Sequence, residues 1–446
     1  MARLQKLVET GRSNYLGGSE MRHQQLVLFP NQANNTKALT SEQFHSEVKY
    51  FNEFGKNTSI LEFPDPRVNI PVYLNEFWTS KQRAAHSLHE ISYRACFKPQ
   101  LPRFFINRLT KENDVVYDPF MGRGTTVIEA ALLNRVPVGC DINPLSQILT
   151  RPRLDPPEIV EIQERLKAID LEKPREIWED LLVFYHPETL RSITNLREYL
   201  LEKEEAGRID RVDAWIRMVA TNRLTGHSRG FFSVYTLPPN QAVSIDSQRK
   251  INEKRSQTPP LRDVKEIILR KSRSLLRKLE INEVVLLRRM ASKAMFITAS
   301  SDHTPEIQKN TVNLVVTSPP FLDNVAYHQD NWLRCWFNGI DVNSVNIWYF
   351  SKPDDWQEKM TDVFKELKRI LVPGGYVAFE VGEVRSGKIF LETLVVPAAV
   401  NAGLIPEMII VNSQIFTKTS NCWGVENLKK GTNTNRIILL RKSGES

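Results

Sequence analysis

The sequence predicts an α/β fold, a mostly parallel sheet with helices packed on it, interrupted by a mainly helical insertion. Three observations carry this. "DVVYDPFMGRGTTVIEAALLNRVPVGCDINP" (114–144) runs strand, glycine turn, helix, strand, the shape of a βαβ unit. The alternation resumes after residue 292 with "KAMFITASSDH" and "VNLVVTSPPF". The stretch between, residues 151–292, is long, charged and helical in its spacing.

Taken in order, residues 1–58 are polar and rich in Asn, Gln and Ser, which predicts a flexible or loosely docked lead-in without chemistry of its own. Residues 59–150 form the first part of the α/β domain. "KPQLPRFFINRLT" (98–110) predicts a helix with Pro99 and Pro102 near its start and Leu101, Phe104, Phe105 and Leu109 on its apolar face. The βαβ unit follows. Residues 293–446 complete the domain with "WQEKMTDVFKELKRIL", a Pro-Gly-Gly turn and "YVAFEVGEV", then two strands, "LIPEMIIVNSQIF" and "TNRIILLRK". Only a loop separates those last two, so an antiparallel pair at the sheet edge is expected.

Composition narrows the classes. With 41% hydrophobic and 25% charged residues the chain reads as globular, and its net charge of +8 fits a polyanionic partner. No apolar run approaches the ~20 residues that span a bilayer, and the first twenty residues lack a signal peptide's apolar stretch. The four cysteines are far apart and form no CxxC pair. A cytoplasmic protein without a membrane partner is expected, and no metal-ligand set is read; His86 and His89 are better explained as surface or capping residues.

The carboxyl ends of three strands are polar. Gly122 and Gly124 sit between a strand and a helix start, where a missing side chain lets a ligand approach the backbone. Asp118 ends the first strand, Asp141 ends the next, where it can accept two hydrogen bonds from ribose hydroxyls, and Asp302 follows the third. Position 127 is Val rather than the third glycine of a dinucleotide fingerprint, and no GKS or GKT follows. A nucleoside-type cofactor without a pyrophosphate fits best.

Together, "DPFMGRGTT", "GCDINP", "ASSD" and "TSPPF" resemble the motif set of the amino-methyltransferases that modify exocyclic amines of DNA with S-adenosyl-L-methionine. "SPPF" is the most specific of them. The resemblance covers residues 89–150 and 293–443 and implies a Rossmann-like methyltransferase fold with a seven-stranded sheet. It places Asp118, Phe120, Gly122, Gly124 and Thr125 around the methionine and the turn, Asp141 on the ribose and Asp302 on the adenine amine. The segment 89–109, with Phe97, resembles the one that closes over the methionine. Cofactor motifs precede the catalytic motif with a variable block between them, so residues 151–292 become the candidate target-recognition region.

An exocyclic amine conjugated to a base is a poor nucleophile because its lone pair is delocalised. Ser318 Oγ and the Pro319 carbonyl can accept its N–H bonds and favour a more tetrahedral nitrogen. Pro319 and Pro320 hold the acceptors rigidly, and Phe321 can stack on a base flipped out of double-stranded DNA. No cysteine sits in a Pro-Cys pair, which argues against attack through a ring carbon. Serine at 318 resembles N4-cytosine enzymes more often than N6-adenine ones. An N6-adenine enzyme, an RNA base methyltransferase and an inactive nucleic-acid-binding fold are the alternatives. A restriction-modification role, with a cognate restriction endonuclease as partner, follows from the resemblance alone. Arg223, His227, Arg229, Arg270, Lys271 and Tyr327 are the candidate substrate contacts, with Phe231 and Phe232 read either as ring contacts or as core.

Overall fold

The structure, a computed structural model, describes residues 38–63, 68–79, 85–93, 96–236, 242–322, 327–385, 388–412 and 435–444. Its first element is helix α1 (Ser41–Lys49), begun by a capping box in which the Thr40 side chain accepts from the Gln43 amide. Strands β1 (Ser59–Glu62) and β2 (Pro71–Asn75) form an antiparallel pair. Then come α2 (Gln100–Leu109), β3 (Val115–Asp118), α3 (Thr125–Leu132) and β4 (Val136–Asp141).

From residue 145 the chain is helical: α4 (Leu145–Thr150), α5 (Ile159–Ala168), α6 (Pro187–Glu205), α7 (Arg211–Arg223), α8 (Ile245–Arg255), α9 (Val264–Leu276) and α10 (Ile281–Ala291). It returns to the sheet as β5 (Met295–Thr298) and β6 (Val312–Thr317), followed by α11 (Tyr327–Phe337), α12 (Pro353–Ile370) and β7 (Leu371–Val381). A short ribbon, β8 (Glu383–Val384) and β9 (Ile389–Phe390), precedes α13 (Glu392–Asn401), β10 (Ile405–Asn412) and β11 (Asn435–Arg441).

Among the described residues nine strands make one sheet in the order β1-β2-β10-β11-β7-β6-β3-β4-β5. Its last seven members, from β10 to β5, are the expected seven-stranded Rossmann-like sheet. Within them β7, β6, β3, β4 and β5 run parallel, and β11 is antiparallel to both β7 and β10. The pair β10 and β11 is antiparallel as expected but does not end the sheet. β2 adds in parallel to β10, and β1 becomes the edge. The apolar residues of "PVYLN" make this extension favourable: Val72 and Tyr73 are buried, whereas β1 is largely exposed.

The lead-in is more firmly held than its composition suggests. Phe44, Val48 and Phe51 recur at helical spacing and pack with Phe77, Phe104 and Phe105, while Ser41 and His45 hydrogen-bond Glu407 on β10. Residues 1–37 lie outside the described residues. The helices of 145–291 build their own apolar cluster around Trp215, Leu190, Ile193 and Leu275, and it is continuous with Leu88, Ile91 and Ile128 of the α/β part. Phe231 and Phe232 are buried, with Phe232 inside that cluster.

Because β3 is followed by β4 and β5 on one side and flanked by β6 and β7 on the other, strand order reverses between β3 and β6. Ligands in open α/β sheets bind at the carboxyl edge of such a switch point. Phe44→Ala removes a ring only 1% exposed and should cost about 3–5 kcal/mol in urea unfolding. A loss below about 1 kcal/mol would detach α1 from the core.

Candidate active site

The carboxyl ends of β3, β4 and β6 bring two distant parts of the sequence together. The Thr317 hydroxyl donates to Asp118 Oδ1 at 2.6 Å, and the Phe120 amide donates to the same oxygen at 3.1 Å. The Thr126 hydroxyl, in the first turn of α3, donates to the Val316 carbonyl at 2.9 Å. Burial pushes the Asp118 carboxyl up to about 7, against the pull of these donors.

A cavity of about 820 Å³, counting its open mouth, lies at this junction. Of the candidate residues, Phe97, Asp118, Phe120, Gly122, Thr125, Asp141, Ser318 and Pro320 line it.

The glycine turn is shaped for this place. Gly122 has φ +50° and Gly124 has φ +76°, conformations that strain other residues. Gly122 borders the cavity. Gly124 does not: a Cβ there would lie 2.4 Å from Thr150 Oγ1, so its missing side chain serves the packing of α4 against the turn. Asp141 Oδ2 accepts from the Gly122 amide at 2.8 Å and Oδ1 from the Asn143 amide at 2.9 Å. Each oxygen keeps a second lone pair, so the carboxylate can fix the turn and still accept from a ligand hydroxyl. Burial raises its pKa, and the two amides and the Ser146 hydroxyl oppose that rise.

Asp302 stands apart. Lys359 of α12 pairs with its carboxylate, Ser300 donates to it, and these partners hold its pKa low against burial. Ser300 and Ser301 line the cavity in its stead. Pro319 and Phe321 also lie off the lining, with Phe321 half-buried against the sheet's apolar cluster. The turn is locked from behind, since the buried Trp356 indole donates to the Pro320 carbonyl at 2.8 Å.

Glu380, near the end of β7, is a residue the sequence reading missed. It is 7% exposed and within hydrogen-bonding reach of Ser318, and the Asn435 amide donates to it at 2.6 Å. Burial pushes its carboxyl up to about 7. The signal was present, an acidic residue near a strand's carboxyl end in "YVAFEVGEV". Trp348, Asn346 and Tyr93 also line the cavity, and the Trp348 ring meets Phe120 edge-on at 6.0 Å. Nothing in their local pattern marked them.

His89 is buried and bonds Glu129 at 2.7 Å, and His86 caps a short 3-10 turn. Arg223 and Lys271 line a neighbouring cavity. Arg270 bonds the Arg229 carbonyl, and the His227 ring lies 6.1 Å from that of Phe231. Tyr327 begins α11, with its side chain outside the described ones.

The N6_N4_Mtase family model, described as DNA methylase, matches residues 22–147. The chain is similar to Type II methyltransferase M.MvaI of Kocuria varians, 28% identical over 32% of this chain and 29% of that one. It is similar to the tRNA (guanine(10)-N2)-dimethyltransferase of Methanocaldococcus jannaschii, 25% identical over 40% of this chain and 53% of that one. Type II methyltransferase M.BsoBI of Geobacillus stearothermophilus matches at 23% identity over 61% of this chain and 56% of its own length. The chain thus spans 29%, 53% and 56% of these relatives. Over the matched residues the chain is similar to DNA methylases of that family. Among the described residues no helix is long and apolar enough to cross a membrane.

Asp141→Asn should weaken S-adenosylmethionine binding by ~1.5–3 kcal/mol in calorimetry, through loss of a charge-assisted acceptor. Asp302→Ala should change it by less than about 0.5 kcal/mol, because that carboxylate is already held by Lys359 and Ser300. The reverse ranking would return Asp302 to the site.

Proposed function

We propose that the chain transfers a methyl group from S-adenosylmethionine to an exocyclic amine of a base in DNA, with N4 of cytosine as the acceptor. One observation carries the reading: Ser318 and the Asp118–Asp141 edge line a single cavity. The family model supports DNA as substrate. N2 of guanine, named in the tRNA-modifying relative, is also an exocyclic amine, which supports this acceptor chemistry.

The residues present suit the cofactor. Asp141 would take the ribose hydroxyls, Phe97 and Phe120 the apolar parts, and Gly122 and Thr125 the turn beside the methionine. S-adenosylmethionine supplies a methyl carbon on a sulfonium, which needs no further activation. Ser318 would accept an N–H of the target amine and draw its lone pair out of conjugation. Glu380 prepares it: if the Ser318 hydroxyl donates to that carboxylate, the lone pairs of the serine oxygen face the cavity. As the nitrogen bonds to the methyl carbon, the carbon–sulfur bond would break to leave S-adenosylhomocysteine, and the proton of the now cationic nitrogen can pass to Ser318 and on to Glu380, or to water. Trp356 keeps the Pro-Pro turn from yielding. The helices of 151–292 serve as the target-recognition region, and a restriction-modification setting agrees with the two Type II relatives.

Ser318→Ala should lower kcat far more than cofactor affinity, because the acceptor's value lies in the transition state. In the wild-type chain the rate should rise through about pH 7 as Glu380 loses its proton, and Glu380→Gln should lower kcat and flatten that limb. Nucleoside digests of methylated DNA, separated by mass spectrometry, identify the product. N4-methylcytosine is expected. N6-methyladenine would move the target base but keep the mechanism, whereas 5-methylcytosine, or full activity in Ser318→Ala, would overturn it.

A further inference from the structure

A second cavity opens beside the first and shares Tyr93 and Cys96 with it. Four cations line it, and they come from four separate places in the fold: Lys98 before α2, Arg123 in the glycine turn, Arg223 at the end of α7 and Lys271 in α9. Among the described residues its one lining carboxylate is Glu90. Glu90 is already engaged by both terminal nitrogens of Arg277 and lies 3.9 Å from Lys271.

The cations are costly where they stand. Arg123 and Arg223 are 7% and 8% exposed, and no carboxylate among the described residues forms an ion pair with either. Arg123 donates to the His89 and Ile91 carbonyls and to Thr125. Arg223 donates to Asn222, and its guanidinium lies 4.0 Å from the centre of the Phe231 ring. Burial pushes Lys271 down to about 8, with Arg223 and Arg277 pressing the same way and Glu90 opposing them. It pushes Arg223 down to about 9, with Arg334 and Arg270 adding to the effect. Gathering poorly hydrated like charges is unfavourable unless an anion joins them.

We propose that this second cavity is a phosphate site, taking a backbone phosphate of the nucleic acid whose base enters the neighbouring cavity. The inference rests on the reading that the substrate is DNA. A strand is favoured over a small free anion because the positive charge continues outward: Arg270 bears on Arg223, and both Arg270 and Arg229 bear on Arg262. A run of cations matches a run of phosphates. The shared wall places one phosphate beside the reacting base, so the cavity would hold the extruded strand in register with Ser318.

The test is fluorescence anisotropy with a labelled duplex pool of randomised sequence, on the full chain and on Lys271→Gln, Lys271→Arg and Arg223→Gln. Calorimetric S-adenosylmethionine affinity reports that each variant is folded. For Lys271→Gln and Arg223→Gln, DNA affinity should fall by roughly 3- to 10-fold and the salt slope by about one phosphate equivalent, with cofactor affinity unchanged. Wild-type binding should weaken as pH rises through about 8, where Lys271 loses its proton, and Lys271→Arg should bind normally without that dependence. Unchanged DNA affinity and salt slope in both glutamine variants would overturn the phosphate site while leaving the DNA reading intact. Absence of any DNA binding by the wild-type chain would overturn both. Inorganic pyrophosphate bound in a Lys271-dependent way, with DNA binding indifferent to Lys271, would make this a free-anion site and overturn the proposal.

Discussion

The bond from Thr317 to Asp118 is the constraint on which the rest of the site depends. These residues are 199 positions apart, and the buried carboxylate joins the strand that leads into the glycine turn to the strand that ends in Ser-Pro-Pro-Phe. The Phe120 amide shares the same oxygen, so one acceptor sets the direction of both chains as they leave the sheet. A second crossing bond, from Thr126 to the Val316 carbonyl, ties the first turn of α3 to β6. In a low-dielectric interior such bonds are strong, and leaving either partner unmatched is expensive. Burial resists ionisation of Asp118 while its donors reward it, which leaves this carboxyl titrating near neutrality.

The insertion between β4 and β5 does not disturb that junction because it solves its own burial problem. Trp215, Leu190, Ile193 and Leu275 are fully buried in one apolar cluster, which also takes in Leu88, Ile91, Ile128, Ala131, Leu333 and Phe337 of the α/β part. Its charges are less evenly settled. Arg165 and Lys203 converge on the buried Asp213, whereas Arg223 and Lys271 face a cavity with a single carboxylate. The first arrangement holds helices together. The second is suited to an anion from outside.

How much of this was legible depended on whether the cause was local. The glycine turn was, since positive φ at Gly122 and Gly124 is a backbone requirement that sequence records directly. Asp118 and Asp141 were legible from their places at strand ends. Asp302 stands in an equivalent place, but its carboxylate is taken by Lys359, 57 residues away on another helix, and no local pattern announces such a partner. Glu380 obeyed the same strand-end rule, but "YVAFEVGEV" lies outside the motif segments that carried the reading. Phe44 and Val48, in a helix of nine residues too short for its period to stand out, and Phe51 just beyond it were hidden by polar neighbours. The addition of β2 to β10 depended on a pairing across more than 300 residues, which single-sequence periodicity does not register.

The central claim is that both halves of the chain build one cavity in which the cofactor and the acceptor amine meet. A crystal structure with S-adenosylhomocysteine tests it most directly. The account predicts the ribose hydroxyls on Asp141, the amino-acid part beside Gly122 and Phe97, and the sulfur facing Ser318 across the cavity. A nucleoside bound elsewhere, or seated on the β3–β4 edge with its sulfur directed away from Ser318, would contradict it.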